Sequence, residues 1–121
     1  MAFMFEDLSV YKKSIEFVLG AYTAYKTISE KEIKGQIKRA ALSIPLNLAE
    51  GNGRNTQKEK VQFYKTARGS LFECVPLLEI CQKLGHISIA EYNSLYQKAE
   101  EIGKMLNGLI KSAGNYRKEE M

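Results

Sequence analysis

Apolar residues in this chain recur at alternating spacings of three and four, and no other feature of the sequence constrains the fold as much. Such spacing keeps apolar side chains on one side of an α-helix and favours helices that pack nearly parallel to one another. The pattern extends over three stretches, which contain Leu8, Tyr11, Ile15, Val18, Tyr22 and Tyr25; Ala67, Leu71, Cys74, Leu78 and Cys81; and Tyr92, Leu95, Ala99, Ile102, Leu106, Leu109 and Ala113. Since no alternating β-branched run accompanies it, the sequence predicts an all-α fold.

Capping signals predict where the helices begin. At three predicted helix starts a serine or threonine precedes a glutamate by three residues, so that each side chain can satisfy a backbone amide of the other. These pairs are Ser29 with Glu32, Thr56 with Glu59, and Ser88 with Glu91. Asp7 is the expected cap of the first helix, and Gly51, Gly53 and Gly85 lie where a left-handed residue is wanted after a helix. We therefore predict helices at 7–27, 30–51, 57–84 and 89–113.

Short loops between these helices predict that consecutive helices run antiparallel, as in an up-down four-helix bundle. The length of 121 residues fits one domain spanning 1–121. Pro45 and Pro76 fall inside predicted helices, where each removes an amide donor and either breaks or kinks the helix. A kink is the better interpretation, because the apolar spacing continues through both prolines without a change of phase.

The few cysteine and histidine residues limit the chemistry that the chain can perform. Cys74 and Cys81 lie about 10 Å apart along a helix, which is too far for a disulfide bond. His86 is the only histidine, so no zinc site and no di-iron motif is predicted within one chain. We expect no metal, no cofactor and no catalysis. No apolar run is long enough to cross a bilayer, and we expect a cytoplasmic protein.

Two helices carry a second line of apolar residues, which predicts self-association. We expect this line to lie roughly opposite the first one on the first helix, and about 150° from the main apolar face on the second helix. The second lines consist of Val10, Phe17, Ala21, Ala24 and Ile28 on the first helix, and Leu42, Leu46 and Ala49 on the second. Extended apolar patches are disfavoured on soluble monomers, so we predict that these residues form a subunit interface. The alternative is that they are scattered surface residues.

A line of polar residues runs along the second helix, and we call it the polar seam. Its members are Gln36, Arg39, Ser43, Asn47, Glu50 and Arg54. One interpretation is a ligand or phosphate site. The other, which we favour, is a structural network of hydrogen bonds that fixes how the helices pack.

The middle of the chain is strongly basic. The segment from Lys34 to Arg68 contains eight basic and two acidic residues, which gives it a net charge of +6. Because the whole chain has a net charge of +4, the regions that flank this segment are acidic. Such a distribution fits a surface that contacts a polyanion, and it also fits an ordinary solvated face. The candidate nucleic-acid-binding residues are Lys34, Lys38, Arg39, Arg54, Lys58, Lys60, Lys65 and Arg68.

Two segments of the chain resemble a known bacterial family. Residues 35–54 read GQIKRAALSIPLNLAEGNGR and residues 63–73 read FYKTARGSLFE. Both are similar to the signature of the four-helix-bundle proteins encoded in intervening sequences of 23S rRNA genes, often labelled S23 ribosomal proteins. A mild departure is Lys38, where arginine is usual. A related branch is the accessory variability determinant of diversity-generating retroelements, a homopentamer that engages nucleic acid and a reverse transcriptase.

The resemblance implies a bundle that forms a ring-like homo-oligomer, with a pentamer favoured, and it makes contact with nucleic acid plausible. The leading hypothesis is a non-catalytic oligomeric protein whose basic surface contacts the backbone of RNA or DNA. The alternative is a structural or scaffold bundle that binds a partner protein, for example a reverse transcriptase, without a direct role at nucleic acid.

Overall fold

Four α-helices make up the computed structural model, which describes the backbone of residues 3–120 and the side chains of residues 3–114. After a 3₁₀ turn at Met4–Asp7 come α1 (Ser9–Tyr25), α2 (Lys31–Asn52), α3 (Gln57–Lys83) and α4 (Ile89–Glu120). No strand occurs among these residues, so the predicted all-α class is confirmed. The bounds lie close to those predicted, except that α4 runs on to Glu120, past its predicted end at residue 113.

Each helix packs against two others, in the cyclic order α1, α2, α3, α4. Within the described residues the diagonal pairs, α1 with α3 and α2 with α4, do not approach closely. Ser70 of α3 lies against Ser43 in the middle of α2, and Phe63 near the start of α3 lies against Gly51 near the end of α2. This register is antiparallel, and the arrangement is that of a four-helix bundle.

Of the three predicted capping pairs, one forms completely and a second forms in part. The Thr56 hydroxyl accepts a hydrogen bond of 3.1 Å from the Glu59 amide at the start of α3. Ser88 and Glu91 satisfy each other's amides, each at 3.0 Å, at the start of α4. At the start of α2 the cap is Glu30 instead, and it makes no side-chain hydrogen bond. The predicted capping pair of Ser29 with Glu32 was therefore wrong.

The predicted cap at Asp7 was also wrong. Asp7 is the last residue of the 3₁₀ turn, so α1 begins at Ser9 and its N-cap is Leu8. Gly85 does have the expected left-handed backbone, with φ at +81°. The amides of Gly85 and His86 donate to the carbonyls of Gln82 and Cys81 at 3.0 and 2.9 Å. This is a Schellman motif, which ends α3.

Gly53, by contrast, ends α2 with φ at −85°, in the right-handed region. Both proline-containing helices continue without a break, since Pro45 lies within α2 and Pro76 within α3. The interpretation that the prolines break these helices is thus excluded. Pro45 is buried and Pro76 is exposed.

The structure corrects the assignment of the second apolar line of α1 to a subunit interface. Its side chains are buried inside a single chain, where they form part of the core: Val10, Phe17, Ala21, Ala24 and Ile28. At 100° per residue the two apolar lines are centred about 110° apart rather than on opposite sides of the helix. Because α1 packs against both α2 and α4, it must bury an arc of that width.

On α2 the two apolar faces have different environments. The main face is buried in the core, where it contributes Ile37, Ala40, Ala41, Ile44 and Leu48. The second face is open in the single chain, with Leu42 38% and Leu46 65% exposed and Ala49 half-buried. An interface at Leu42 and Leu46 therefore stays a prediction.

Candidate nucleic-acid interface

Arg54 is the most constrained of the eight basic residues predicted to contact nucleic acid. Its guanidinium forms a short hydrogen-bonded ion pair with Glu50 and lies 3.8 Å from a Glu59 carboxylate oxygen. Its Cζ atom is 4.6 Å from the centroid of the Phe63 ring, which is a cation–π distance. Arg54 therefore braces the turn between α2 and α3.

Lys60 and Lys38 also make contacts within the chain. The Lys60 ammonium donates to the Asn52 carbonyl oxygen at 2.7 Å, at the end of α2 where a helix carries partial negative charge. The Lys38 ammonium lies 5.7 and 5.6 Å from the ring centroids of Tyr22 and Tyr25 on α1. Both charges are partly satisfied by the protein itself.

Arg68 joins α3 to α4, because its guanidinium donates to the Asn107 side-chain oxygen at 2.9 Å. Four of the eight predicted residues are therefore held by contacts within the chain. The other four form no ion pair or side-chain hydrogen bond within the described part of the chain: Lys34, Arg39, Lys58 and Lys65.

Lys58 and Lys65 share the outer face of the first half of α3, where both side chains are exposed. They are seven residues apart, about 10 Å along the helix axis. The only acid between residues 57 and 72 is Glu59, and its carboxylate is directed toward Arg54 and Thr56. This face of α3 therefore carries positive charge that no acid of the same stretch neutralises.

The remaining two cations lie elsewhere. Arg39 is exposed on the outer face of α2, within about 60° of Leu42 and Leu46 around the helix. Lys34 is half-buried and lies about 140° around the helix from Arg39. The eight residues thus do not form one patch, because closeness along a helical chain does not place side chains on one face.

The middle of the polar seam is a hydrogen-bonded contact between two helices. The Asn47 side-chain amide donates to the Ser43 carbonyl and hydroxyl oxygens at 2.8 and 2.9 Å. The Ser70 hydroxyl of α3 donates to the same Ser43 hydroxyl at 2.7 Å. Ser70 was not predicted from the sequence to join the polar seam. The only signal for it was its position within residues 63–73, the second segment that resembles the family. Gln36 is half-buried at one end of the seam.

An apolar groove between α3 and α4 was not anticipated from the sequence. It has a volume of about 420 Å³, within the range of ligand-binding clefts. Two exposed aromatic residues, Phe72 and Tyr96, flank it. The lining residues are Leu71, Phe72, Val75, Tyr96, Ala99, Glu100, Gly103, Lys104 and Asn107.

The buried ionisable groups belong to the core rather than to these surfaces. Burial raises the pKa of the Cys74 thiol to about 12 and also raises the pKa of the Cys81 thiol. Both thiols are therefore protonated and weakly nucleophilic at neutral pH. The Tyr25 hydroxyl is buried without a hydrogen-bond partner in the described structure, and burial raises its pKa above the usual range.

Over the residues with described side chains, no group of three or more His, Cys, Asp or Glu is placed to hold a metal ion. Nor does any described helix have the length and apolarity required to cross a membrane.

Comparison with known proteins identifies the family. The model of the 23S rRNA-intervening sequence proteins matches residues 6–108. A crystal structure of a protein of unknown function from the S23 ribosomal protein family of Bacteroides thetaiotaomicron VPI-5482 has the same fold, with a TM-score of 0.78 and 26% identity. That match covers 84% of this chain and 98% of the other. No match is found among curated proteins. This chain therefore belongs to the 23S rRNA-intervening sequence protein family.

Proposed function

We propose that this protein is a non-catalytic helical bundle that contacts the phosphate backbone of RNA or DNA through exposed lysines of α3. The observation that carries this proposal is the outer face of α3, where Lys58 and Lys65 are exposed without a neutralising acid in the same stretch. Lysine ammonium groups attract phosphates without reading base sequence. Affinity should therefore depend strongly on salt and weakly on sequence.

The same proposal includes assembly into a ring-like homo-oligomer, for which we favour a pentamer on the resemblance. Exposed Leu42 and Leu46 support self-association, because their burial would remove apolar surface from water. A ring repeats the lysine pair once in each subunit, and several weak contacts then act together as one strong one. We also place the protein in the cytoplasm, where cysteine thiols such as Cys74 and Cys81 remain reduced.

A fluorescence anisotropy titration at two salt concentrations tests phosphate contact. The probes are a labelled rRNA hairpin and a DNA duplex of unrelated sequence. Wild-type affinity for both should fall steeply between low and physiological salt, because condensed counterions return to the polymer as the lysines leave it. The variant Lys58→Gln/Lys65→Gln should bind more weakly, and its salt slope should be shallower by about one unit for each lysine removed.

The matched control is Lys12→Gln/Lys26→Gln, which removes the same charge from exposed positions outside the basic middle of the chain. Its salt slope should stay closer to that of the wild type. Equal effects of the two double variants would show that net charge rather than the α3 face drives binding. A folded oligomer that binds neither probe at low salt would contradict the proposal and favour the alternative of a scaffold for a partner protein.

A further inference from the structure

The exposed lysines of α3 share their side of the helix with an exposed aromatic ring. Phe72 follows Lys65 by seven residues, which places it about 10 Å further along the axis and within about 20° around the helix. Phe72 is 60% exposed, and within the described residues no other aromatic ring packs against it. The face that attracts phosphates therefore continues into an open aromatic surface.

The α3–α4 groove opens beside this ring, and its entrance is basic. Arg68 donates to Asn107 across the two helices, which marks the end of the groove nearest to Lys65. Lys104 is exposed and lines the groove about one turn from Asn107. A strand whose phosphates lie along Lys58 and Lys65 thus reaches the groove without leaving the positively charged surface.

The interior of the groove suits a flat aromatic group. Tyr96 bounds it on the α4 side, where it is 43% exposed and packs against Tyr92 with ring centroids 5.9 Å apart. The small residues Ala99 and Gly103 leave a space of about 420 Å³ between the helices, which is enough for a ligand larger than one nucleobase. Glu100 lies further from the basic entrance, and its negative charge disfavours a phosphate there.

We propose that the α3–α4 groove binds an unpaired nucleobase, which stacks on the ring of Phe72. The base belongs to a single-stranded segment of RNA or DNA whose phosphates contact Lys58 and Lys65. A strand is the occupant that the charges favour, because the basic entrance attracts phosphates and the apolar interior accepts a base. The inference deepens the phosphate contact in the proposed function and rests on it.

The site selects single strands over duplexes. Bases within a duplex are stacked on their neighbours and paired, whereas unpaired bases are free to stack on protein side chains. Every base has a π-face, so the selection for single strands depends little on sequence.

Two matched single strands separate the contribution of the base from that of the phosphate. The probes are a labelled thymidine oligonucleotide of about 12 nucleotides and an abasic strand with the same number of phosphates. In anisotropy titrations at low salt, the wild type should bind the thymidine strand at least about tenfold more tightly, because stacking adds to phosphate contact. Lys58→Gln/Lys65→Gln should weaken the binding of both strands by a similar factor.

Phe72→Leu tests the stacking residue. The change keeps an apolar side chain but removes the flat ring, so most of the preference for the thymidine strand should be lost. The matched control is Phe3→Leu, at a phenylalanine that is 61% exposed and lies outside the groove. The control should keep the wild-type preference, and circular dichroism checks that both variants stay helical. A full preference in Phe72→Leu would overturn the proposed site.

Phe72→Trp reports the contact directly, because the chain contains no tryptophan. The tryptophan emission of this variant should be quenched by the thymidine strand and change little with the abasic strand or a duplex. Phe3→Trp should be quenched by none of the three. Emission of Phe72→Trp that stays constant while the thymidine strand binds would place the bases elsewhere and overturn the inference.

The two strands also distinguish this inference from the proposed function. Equal affinity of the wild type for the thymidine and abasic strands would overturn base binding and leave phosphate contact standing. A folded protein that binds neither strand at low salt would overturn phosphate contact as well.

Discussion

The contact between α2 and α3, which we call the α2–α3 seam, differs from the contact between α1 and α4, the α1–α4 seam. Both terms describe contacts between helices and are distinct from the polar seam along α2. At the first, Gly51 lies so close to Phe63 and Tyr64 that an added Cβ would come within 2.8 Å of the Phe63 Cβ. Hydrogen bonds from Asn47 and Ser70 converge there on Ser43. Arg54 braces the turn at its end. The α2–α3 seam is therefore fixed by contacts that depend on particular residues.

The α1–α4 seam is looser. A cleft of about 390 Å³ opens along it, lined in part by Gly20, Ala24, Ala90 and Ser94. Its one ion pair among the described residues, Lys13 with Glu101, is exposed and 3.4 Å long. The difference shows that the geometry of the α2–α3 hairpin depends on contacts between particular residues. The contact between α1 and α4 depends mainly on general apolar packing.

Gly51→Ala should have the largest effect on stability. Ordinarily alanine stabilises a helix relative to glycine, but here the new methyl group meets side-chain atoms that are fixed close to the α3 backbone. We expect the free energy of unfolding to fall by about 2–3 kcal/mol, as in other overpacked sites. Urea denaturation followed by circular dichroism measures it.

The control for this substitution is Gly35→Ala in the same helix, where an added Cβ meets nothing within 4 Å. There the helix propensity of alanine should raise the free energy of unfolding by up to about 1 kcal/mol. Equal effects at the two glycines would show that the close approach at Gly51 does not constrain the α2–α3 seam.

Asn47→Ala tests the hydrogen bonds of the same seam. The change removes the two bonds from the Asn47 amide to Ser43, while Ser70 still donates to the Ser43 hydroxyl. We expect a loss of about 1–2 kcal/mol in the free energy of unfolding. An unchanged urea midpoint combined with loss of nucleic-acid binding would instead assign the polar seam to a ligand.

Arg54→Gln should cost less, about 1 kcal/mol, because the ion pairs and the cation–π contact of Arg54 are partly exposed. The effect should shrink in high salt, which screens exposed charges. Lys13→Gln on the α1–α4 seam is the comparison, and it should change the free energy by less than about 0.5 kcal/mol. Thermal melts at two salt concentrations separate these outcomes.

Gly20→Ala should have the smallest effect. An added Cβ would lie 3.0 Å from Leu95 Cδ2, the end of a flexible side chain beside an open cleft. The leucine can shift, and the helix propensity of alanine offsets the remaining contact, so the expected change is less than about 0.5 kcal/mol. A loss as large as that of Gly51→Ala would show that the α1–α4 seam is as tightly fitted as the α2–α3 seam.

Part of the candidate site could be predicted from the sequence. The rest could not, because it depends on how the helices pack against one another. Charge counting identified the basic middle of the chain, and periodicity found the exposed face of α2 at Leu42 and Leu46. Neither charge nor periodicity reveals that the charged groups of Arg54 and Lys60 are bound within the chain, because their partners depend on how α2 packs against α3. The α3–α4 groove was missed for the same reason, since it exists only between two packed helices.

By itself, the sequence determined the helical class, most helix boundaries and the family, because periodicity, capping and motifs are local properties of the chain. The structural role of Asn47 and Ser43 stays a prediction, although the two side chains are joined by hydrogen bonds. Only the tertiary structure decided that Phe17 and its neighbours on α1 are core. A helix at the corner of a bundle faces two partners at once, and a line of apolar residues does not reveal which partner buries it.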